Sequence, residues 1–467
     1  MTISTHGALS RLHKFAGVII APFLIVAALS GFLYALAPTF EPWIYHDEVT
    51  ATAQGSPRSL DEQIAAAQRE HPDGDVVRVE PSEDPQETTR VLFDDPTAPN
   101  SSYTQAVFVD PVDLHITGEL QQYGGSRALP FRTWASNGHR TLWLGEPGRL
   151  YAELAASWLG ALSILGLYLW LKRKQRNKKQ PSKVLALHAR VGAWLLPGFL
   201  FLTVTGLTWS LVAGTGIGKV REELNWKEPS VATSVAEAEA STGAGEHAGH
   251  SGHAGHKGHA SHASHAGHAG HEGAAELAGA QTVLSAARSQ GLTGVLEMTP
   301  PEKPGDAWGV REARAAFKLR SDAVAVTPNG EVIDRINSAD WPLAAQLTSW
   351  LIQLHMGTLF GIYSQVALAA LALGLLVVSI AGLWMWWIKP RRSLPELKIT
   401  PAVLAGVVAY SIIAPLFGAS LLLFFLGDWF VRRLRAPQRG RGAAAGEVTP
   451  RPRGGFSSRS LSTVRNG

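Results

Sequence analysis

The stretch LHKFAGVIIAPFLIVAALSG at residues 12–31 returns without a gap as LHARVGAWLLPGFLFLTVTG at residues 187–206. The two copies share a histidine, two glycines and a proline, which pair as His13 with His188, Gly17 with Gly192, Gly31 with Gly206 and Pro22 with Pro197. A second correspondence, at a constant offset, pairs His139 with His355, Gly166 with Gly382 and Trp170 with Trp386. Matching segments at a fixed separation indicate an internal repeat. The sequence therefore predicts a duplicated pair of helices.

Hydrophobic residues concentrate in five blocks, at 15–37, 151–171, 189–213, 362–388 and 402–427. At about 1.5 Å per helical residue, each block is long enough to cross a hydrocarbon core of about 30 Å. The expected fold class is a polytopic α-helical membrane protein with a tandem parallel repeat of helix pairs. It has four core spans, and 402–427 forms either a fifth span or a re-entrant hairpin broken at Pro415 and Gly418. The first block is too long for a usual signal peptide, and its pattern recurs inside the chain, so it is interpreted as a span.

Basic residues beside the spans predict the orientation of the chain. Residues 172–183 carry seven Lys or Arg and residues 389–392 carry three, so both loops are expected in the cytoplasm. Alternation then gives a cytoplasmic N-terminus at 1–14 and cytoplasmic loops at 172–188 and 389–401, with extracytoplasmic loops at 38–150 and 214–361. The expected location is the bacterial inner or plasma membrane. A fifth single span would place the basic, disordered tail at 428–467 outside, whereas a hairpin would return it to the cytoplasm.

Each extracytoplasmic loop is expected to form its own small α+β unit. In the first loop, residues 60–70 have a helical pattern, and strand-like runs follow near 75–80, 89–93 and 105–110. In the second loop, residues 281–290 have a helical pattern, and strand-like runs follow near 294–298, 314–319 and 322–326, with a hairpin turn at Asn329-Gly330. Two roles stay open for these units, a structural cap or the docking of a substrate or partner.

Composition excludes several classes of function. The chain has no cysteine, which excludes disulfides, thiolate zinc sites, cysteine-ligated iron–sulfur clusters and covalently attached haem. Its net charge of +4 comes with basic residues beside membrane ends, so nucleic-acid binding is not predicted. The cytoplasmic segments are too short for a nucleotide- or flavin-binding domain. No nucleophile triad or carboxylate pair is present to assign as catalytic.

The four repeated histidines are candidates for axial haem ligands. By topology His13 and His188 lie near the cytoplasmic face and His139 and His355 near the opposite face, and a bilayer of about 30 Å separates the two levels. Each level can therefore hold one b-type haem between two histidines. Gly17 and Gly192 follow their histidines by one helical turn, and Gly31 and Gly206 follow by five turns, or about 27 Å, which would clear room at both levels. The alternative is that the histidines pack helix ends and the glycines serve close helix packing.

A second histidine pattern occupies the loop between the third and fourth spans. Nine histidines recur at every third position, at His247, His250, His253, His256, His259, His262, His265, His268 and His271. Their Gly, Ala and Ser spacing predicts a disordered segment that binds a divalent metal, Cu, Zn or Ni, with copper favoured by the general order of affinities. The alternative is a low-complexity linker without a role in metal handling.

Several motifs together resemble the PepSY-associated transmembrane helix family. They are LHKFAG and LHARVG at helix starts, GHRTLWLG and QLHMGTLFG before the partner helices, and VFVDPVDLHITGEL and VAVTPNGEVIDRI in the loops. The resemblance covers about residues 9–427 and implies that the two loops are PepSY-like. Some members of that family are inner-membrane ferric-siderophore reductases with two b haems, and the resemblance implies that His13, His188, His139 and His355 match their ligands. Lys14 and Ala189 stand where an arginine is common in the family, and the histidine tract is unusual.

Two classes of function follow from these patterns. The first is a transmembrane di-haem electron conduit that reduces an extracytoplasmic ferric siderophore or Cu(II), supplied by a cytosolic reductase or a quinol. The second is a non-enzymatic metal-binding or sensory protein in the lipid membrane, whose PepSY-like loops dock a partner.

Overall fold

The computed structural model describes residues 5–175, 182–234, 277–388 and 401–435, and the elements below are numbered within that part of the chain. The helices are α1 (Thr5–Ile44), α2 (His46–Val49), α3 (Leu60–Glu70), α4 (Pro130–Thr141), α5 (Gly145–Gln175), α6 (Lys183–Trp194), α7 (Leu196–Leu207), α8 (Val212–Glu223), α9 (Ala280–Ser289), α10 (Leu343–Met356), α11 (Ile362–Ile388), α12 (Pro401–Ile413) and α13 (Pro415–Arg435). The strands are β1 (Val76–Glu80), β2 (Thr89–Asp94), β3 (Tyr103–Val109), β4 (Ile116–Tyr123), β5 (Leu296–Thr299), β6 (Trp308–Glu312), β7 (Ala323–Val326) and β8 (Val332–Ile336).

Three helices are long and apolar enough to cross a membrane, in the segments Leu9–Ile44, Gly145–Arg173 and Ile362–Ile388. The pair α6 and α7 is apolar enough for a fourth span, but it bends by 60° where α6 ends and α7 begins. Pro197 explains the bend, because proline has no N–H to donate and its ring clashes with the carbonyl four residues earlier. The prediction of a helical protein with several candidate membrane spans is confirmed.

The candidate spans pack in an interleaved order. α1 contacts α11 most extensively and also packs against α4 and α5, while α7 packs against α5 and α6 packs against α11. The first helix of each pair therefore lies against the second helix of the other pair. This arrangement brings residues far apart in sequence to the same level of the bundle.

The helical conformation is interrupted between α12 and α13 at Ala414, directly before Pro415. Two hydrogen bonds tie this region to α5: the Tyr410 hydroxyl donates to the Ser157 carbonyl at 2.6 Å, and Trp158 Nε1 donates to Ser420 Oγ at 2.9 Å. The break lies at the proline that the sequence singles out, since proline cannot continue the hydrogen-bonding pattern of a helix interior.

The eight strands form one antiparallel sheet in the order β4-β3-β2-β1-β5-β6-β7-β8, so the two α+β units share a single sheet, which the sequence analysis did not predict. The units join where β1 pairs with β5, with Val79 opposite Met298. A four-stranded unit by itself would leave the edge of β1 unpaired, and joining the two edges satisfies the backbone groups of both. The predicted strand at 314–319 was also wrong, because β6 ends at Glu312 and a loop follows in which Phe317 has a φ of 60°.

Helices α3 and α9 cover one face of the sheet and cap each other. The carboxylate of Asp61 accepts hydrogen bonds from the backbone N–H groups of Gly279, Ala280 and Gln281 at the start of α9, at 2.9 to 3.1 Å. In return, Gln281 Oε1 accepts from the Leu60 N–H at the start of α3, at 2.8 Å. The first N–H groups of a helix have no partner inside it, so this exchange satisfies both helix ends and fastens the two halves together.

The opposite face of the sheet carries a charged layer. Val79 packs into the apolar core under the helices, so its neighbour Glu80 points to the other side. Glu80 accepts a hydrogen bond from Arg127 at 2.7 Å, and Glu297 accepts from Arg311 at 2.8 Å. Burial alone raises the pKa of Glu80, but attraction to Arg127 and to neighbouring arginines outweighs burial and lowers this pKa overall.

Candidate functional site

The structure brings the four repeated histidines together as two pairs. His13 of α1 and His188 of α6 form the first histidine pair, with ring centroids 6.1 Å apart and ring planes at 84°. His139 of α4 and His355 of α10 form the second histidine pair, with centroids 6.2 Å apart and planes at 59°. These are the two pairings that the predicted topology requires.

Each histidine of the second pair lies in the last turn of a short helix. α4 ends after Thr141 because Leu142 adopts a left-handed conformation with φ of 52°, and α10 ends because Gly357 does so with φ of 78°. A left-handed residue commonly terminates a helix. Trp209 lies beside the ring of His355, with their centroids 5.9 Å apart. The two helices therefore present their histidines from their ends rather than from their middles.

Hydrogen bonds set the orientation of three of the four imidazole rings. The Nδ1 of His139 lies 2.8 Å from the Ala27 carbonyl, and the Nδ1 of His188 lies 2.9 Å from the Val378 carbonyl. A carbonyl can only accept, so in each ring Nδ1 carries the proton and Nε2 keeps its lone pair. This is the arrangement that metal-binding histidines use, with one ring nitrogen oriented by the protein and the other free to coordinate.

Thr205 has the same effect on His355 through its side chain. The Thr205 hydroxyl donates to the Phe201 carbonyl at 2.7 Å, which leaves its oxygen free to accept from the Nδ1–H of His355 at 2.6 Å. The His13 ring interacts with the backbone of Leu162, the counterpart of Val378 in the repeat, but its buried Nδ1 makes no hydrogen bond of ordinary geometry among the described residues. Nothing in the sequence pattern points to Thr205, because its role depends on which helix lies opposite.

Four glycines lie against the histidine rings, one for each ring. A Cβ built on Gly31 would lie 2.9 Å from His139 Nδ1, and one on Gly206 would lie 4.0 Å from His355 Cε1. For the first pair, a Cβ built on Gly166 would lie 3.3 Å from His13 Cε1, and one on Gly382 would lie 3.6 Å from His188 Cε1. In the sequence, Gly166 and Gly382 stand out only as markers of the repeat. Their matched positions in the repeat were the signal that could have assigned them.

Gly17 and Gly192 do not touch a histidine. A Cβ on Gly17 would meet no atom within 4 Å, and one on Gly192 would meet only Val378 Cγ2, at 3.9 Å. Both positions thus have room for a side chain among the described residues, although they lie one helical turn from His13 and His188. Open space beside a ligand helix is what a flat macrocycle requires.

Each histidine pair would suit a haem iron held between its two imidazoles. An imidazole nitrogen binds a metal at about 2.0 Å and the ring centroid lies roughly 1.1 Å behind it, so two imidazoles that shared one metal ion would have centroids about 6.2 Å apart. The two pairs have 6.1 and 6.2 Å. Among the described residues no group of three or more His, Asp or Glu could hold a metal ion. Two protein ligands at each site suit a haem, because the porphyrin supplies the other four nitrogens.

The histidine tract at 247–271 lies outside the described residues, as do all residues from 235 to 276. Its predicted capture of a divalent metal therefore stays a prediction. The last described residue before this segment, Ser234, follows Thr233, whose carbonyl accepts a hydrogen bond from the Ala307 N–H at 2.8 Å beside β6. The described residues that precede this segment therefore lie beside the sheet.

Interleaved apolar helices, a joined eight-stranded sheet and paired histidines define a class of membrane protein with a large folded domain between its spans. Residues 10–389 match the family model described as the PepSY-associated TM region. This match covers well over half of the 467 residues, and the chain belongs to the PepSY-associated transmembrane family, as the sequence motifs predicted. All four repeated histidines lie within the matched region. No curated protein matches the chain.

Proposed function

We propose that this protein is a transmembrane electron conduit with one b-type haem at each histidine pair, and that it reduces an extracytoplasmic metal complex such as a ferric siderophore or Cu(II). The observation that carries the proposal is the presence of two histidine pairs with ligand-like spacing at two levels of one bundle. His13 and Gly31, which contacts His139, are separated by about 27 Å along α1. In the proposed orientation the N-terminus is cytoplasmic and the sheet is extracytoplasmic.

A b-type haem held by each pair supplies one-electron transfer when it is bound. Hydrogen bonds to Nδ1 orient three of the four imidazoles and leave their Nε2 atoms available to coordinate the haem iron. The apolar spans keep bulk water from the rings, and the glycines leave backbone close to them. The electron donor in this proposal is a cytosolic reductase or a quinol.

The proposed parallel repeat has support in matched hydrogen bonds. Ser30 Oγ donates to the Val26 carbonyl at 2.7 Å, and Thr205 Oγ1 donates to the Phe201 carbonyl at 2.7 Å. Ser30 and Thr205 lie as many residues apart in the sequence as His13 and His188 do. The same separation relates the two acceptors, Val26 and Phe201. Divergence between the copies then explains why only the threonine also accepts from a histidine.

The histidine tract belongs to this proposal as an accessory site. Its imidazoles would concentrate Cu(II), Zn(II) or Ni(II) on the sheet side, without being required for haem ligation. The tract occurs in one of the two loops only, so it lies outside the duplicated core.

An absorbance spectrum of the purified protein tests the proposal. After dithionite, two b-type haems should be present, and His188→Ala and His355→Ala should each remove one of them. His115→Ala is the matched control, because His115 belongs to neither pair, and it should retain both. A folded protein with no haem spectrum would refute the conduit and support the alternative, a metal-binding or sensory protein whose sheet docks a partner.

A further inference from the structure

Helix α10, which carries His355, buries its polar side and exposes its apolar side, the reverse of a helix at the surface of a water-soluble protein. The side that is buried in the protein carries small and polar residues, at Ala345, Ser349 and Gln353. The exposed side carries leucines at the same four-residue spacing, at Leu343, Leu347 and Leu351. In a water-facing helix the leucines turn inward and the polar residues outward. The reversal indicates that the medium around this side of α10 is apolar.

The loop between β6 and β7, residues 313–322, shows the same reversal. Phe317 is 66% exposed and Leu319 is 52% exposed. The charged residue between them, Lys318, turns inward, and its ammonium group lies 2.8 Å from the carboxylate of Glu312. Charges are expensive to bury and aromatic rings are unfavourable in water. This loop would be favoured where its outer side meets hydrocarbon.

The loop and α10 form one surface that continues onto a candidate membrane span. Trp350 Nε1 of α10 donates to the Leu319 carbonyl at 2.9 Å, and the Phe317 N–H donates to the Leu359 carbonyl at 2.7 Å. The Phe317 ring also lies near Tyr363, with centroids 6.4 Å apart. Tyr363 and Val366 are exposed residues of α11, the most apolar span. The surface is therefore continuous with the lipid-facing side of α11.

We propose that this surface, defined by Phe317, Leu319, Leu343, Leu347 and Leu351, is embedded in the acyl chains of the leaflet on the sheet side. α10 has 14 residues and is about 21 Å long, which is too short to cross about 30 Å of hydrocarbon. It lies within one leaflet as an interfacial helix. His355 is thus carried by a lipid-embedded helix, and the sheet is attached to the bilayer through the β6–β7 loop.

The first half of the protein has no such surface at the corresponding positions. In the repeat that pairs His139 with His355, the positions that correspond to the three leucines are Arg127, Phe131 and Ala135. Arg127 pairs with Glu80 of the sheet, and Ala135 is fully buried. The connection between β2 and β3, residues 95–102, is polar and reads DPTAPNSS. The leucine face and the apolar loop are therefore features of the second half, whereas the exposed apolar residues at α4 and its C-terminal end are Trp134, Trp143 and Leu144. Lipid attachment of the second half does not depend on haem binding.

Site-specific fluorescence tests the proposal, because the chain has no cysteine and each introduced one is unique. Leu347→Cys and Phe317→Cys, each labelled with bimane, are reconstituted into phosphatidylcholine vesicles with plain or brominated acyl chains. Leu373→Cys in α11, an exposed position of a span, is the positive control. Glu70→Cys at the exposed end of α3 is the negative control. Haem-free protein serves as well as haem-loaded protein, so the outcome is separate from that of the proposed function.

Brominated chains should reduce the fluorescence at 347 and 317 as strongly as at 373, and leave the fluorescence at 70 unchanged. Quenching at 347 and 317 by aqueous iodide instead would show a water-facing surface and overturn the proposal. Protection from both quenchers would mean that protein covers the surface, either a second copy or residues 235–276, and would overturn it equally. Two labelled positions on separate elements keep the test valid if one substitution disturbs folding.

Discussion

Replacing Thr205 by valine tests whether this residue orients His355 for ligand binding. Valine keeps the shape of the side chain but removes the hydroxyl, which accepts from His355 Nδ1 at 2.6 Å. Coordination through Nε2 keeps the proton on Nδ1, whereas the ring of the haem-free protein can change tautomer or turn. A buried Nδ1–H without a partner would therefore cost the haem-bound state about 1–3 kcal/mol. About 1.4 kcal/mol changes an equilibrium constant tenfold, so the second histidine pair should hold its haem roughly 5- to 150-fold less tightly.

Thr203→Val is the matched control for this substitution. Thr203 lies in the same helix, is also buried, and its hydroxyl donates only to the Phe199 carbonyl, at 2.9 Å. The assay is the rate at which each variant loses haem to an excess of a soluble haem-scavenging protein, followed by absorbance. One of the two haems should leave faster in Thr205→Val, while the haem of the first pair serves as an internal reference. Equal loss rates in the two variants would refute the assigned role of Thr205.

Three further perturbations have expected outcomes. Asp61→Ala removes the cap of α9 and should cost about 0.5–2 kcal/mol of stability, seen as a lower thermal midpoint; an unchanged midpoint would contradict the reciprocal capping. Gly31→Ala places a Cβ 2.9 Å from His139 Nδ1, so pyridine haemochrome analysis should show loss of haem from the second pair, and full retention would argue against ligation there. The pKa of Glu80 is lower in the folded protein, so its contribution to stability is present above its unfolded pKa of about 4.3 and is lost as pH falls through the folded pKa. Glu80→Gln should be less stable at pH 7 and lose less stability on acidification, as thermal scans from pH 7 to about pH 2 would reveal, because the loss begins only near the unfolded pKa and continues below it; parallel curves for both proteins over that range would contradict this.

The histidine tract offers a test of its own. Neutral imidazole binds metal and has a pKa of about 6.5, so capture of Cu(II) or Zn(II) should weaken steeply below about pH 6. Deletion of residues 247–271 should abolish that capture in calorimetry and leave both haems in place. Equal metal stoichiometry in the intact and deleted proteins would rule out the capture role.

The sequence by itself determined the family, the helical candidate spans and the pairing of the histidines. Hydropathy depends on neighbouring residues along the chain, so four of the five apolar blocks indicate candidate spans without knowledge of their neighbours in space, whereas the block at 402–427 forms two shorter helices. The pairing of His13 with His188 follows from the same information, because a bilayer prevents histidines at its two faces from meeting. The helix at Leu60–Glu70 is likewise confirmed at the predicted residues, since its cap and its periodicity are local.

Only the tertiary structure decided how these parts join. The pairing of β1 with β5 links residues more than two hundred positions apart, and an edge strand carries no local pattern that names its partner. The loop at 313–322 has strand-like alternation, but Lys318 turns inward to Glu312 and Phe317 outward, which depends on α10 and α11 beside it. Thr205, Gly166 and Gly382 acquire their contacts with histidine only when helices from different parts of the chain pack together. A buried polar group or a close backbone approach is defined by the opposing surface, and the opposing surface is not encoded in local periodicity.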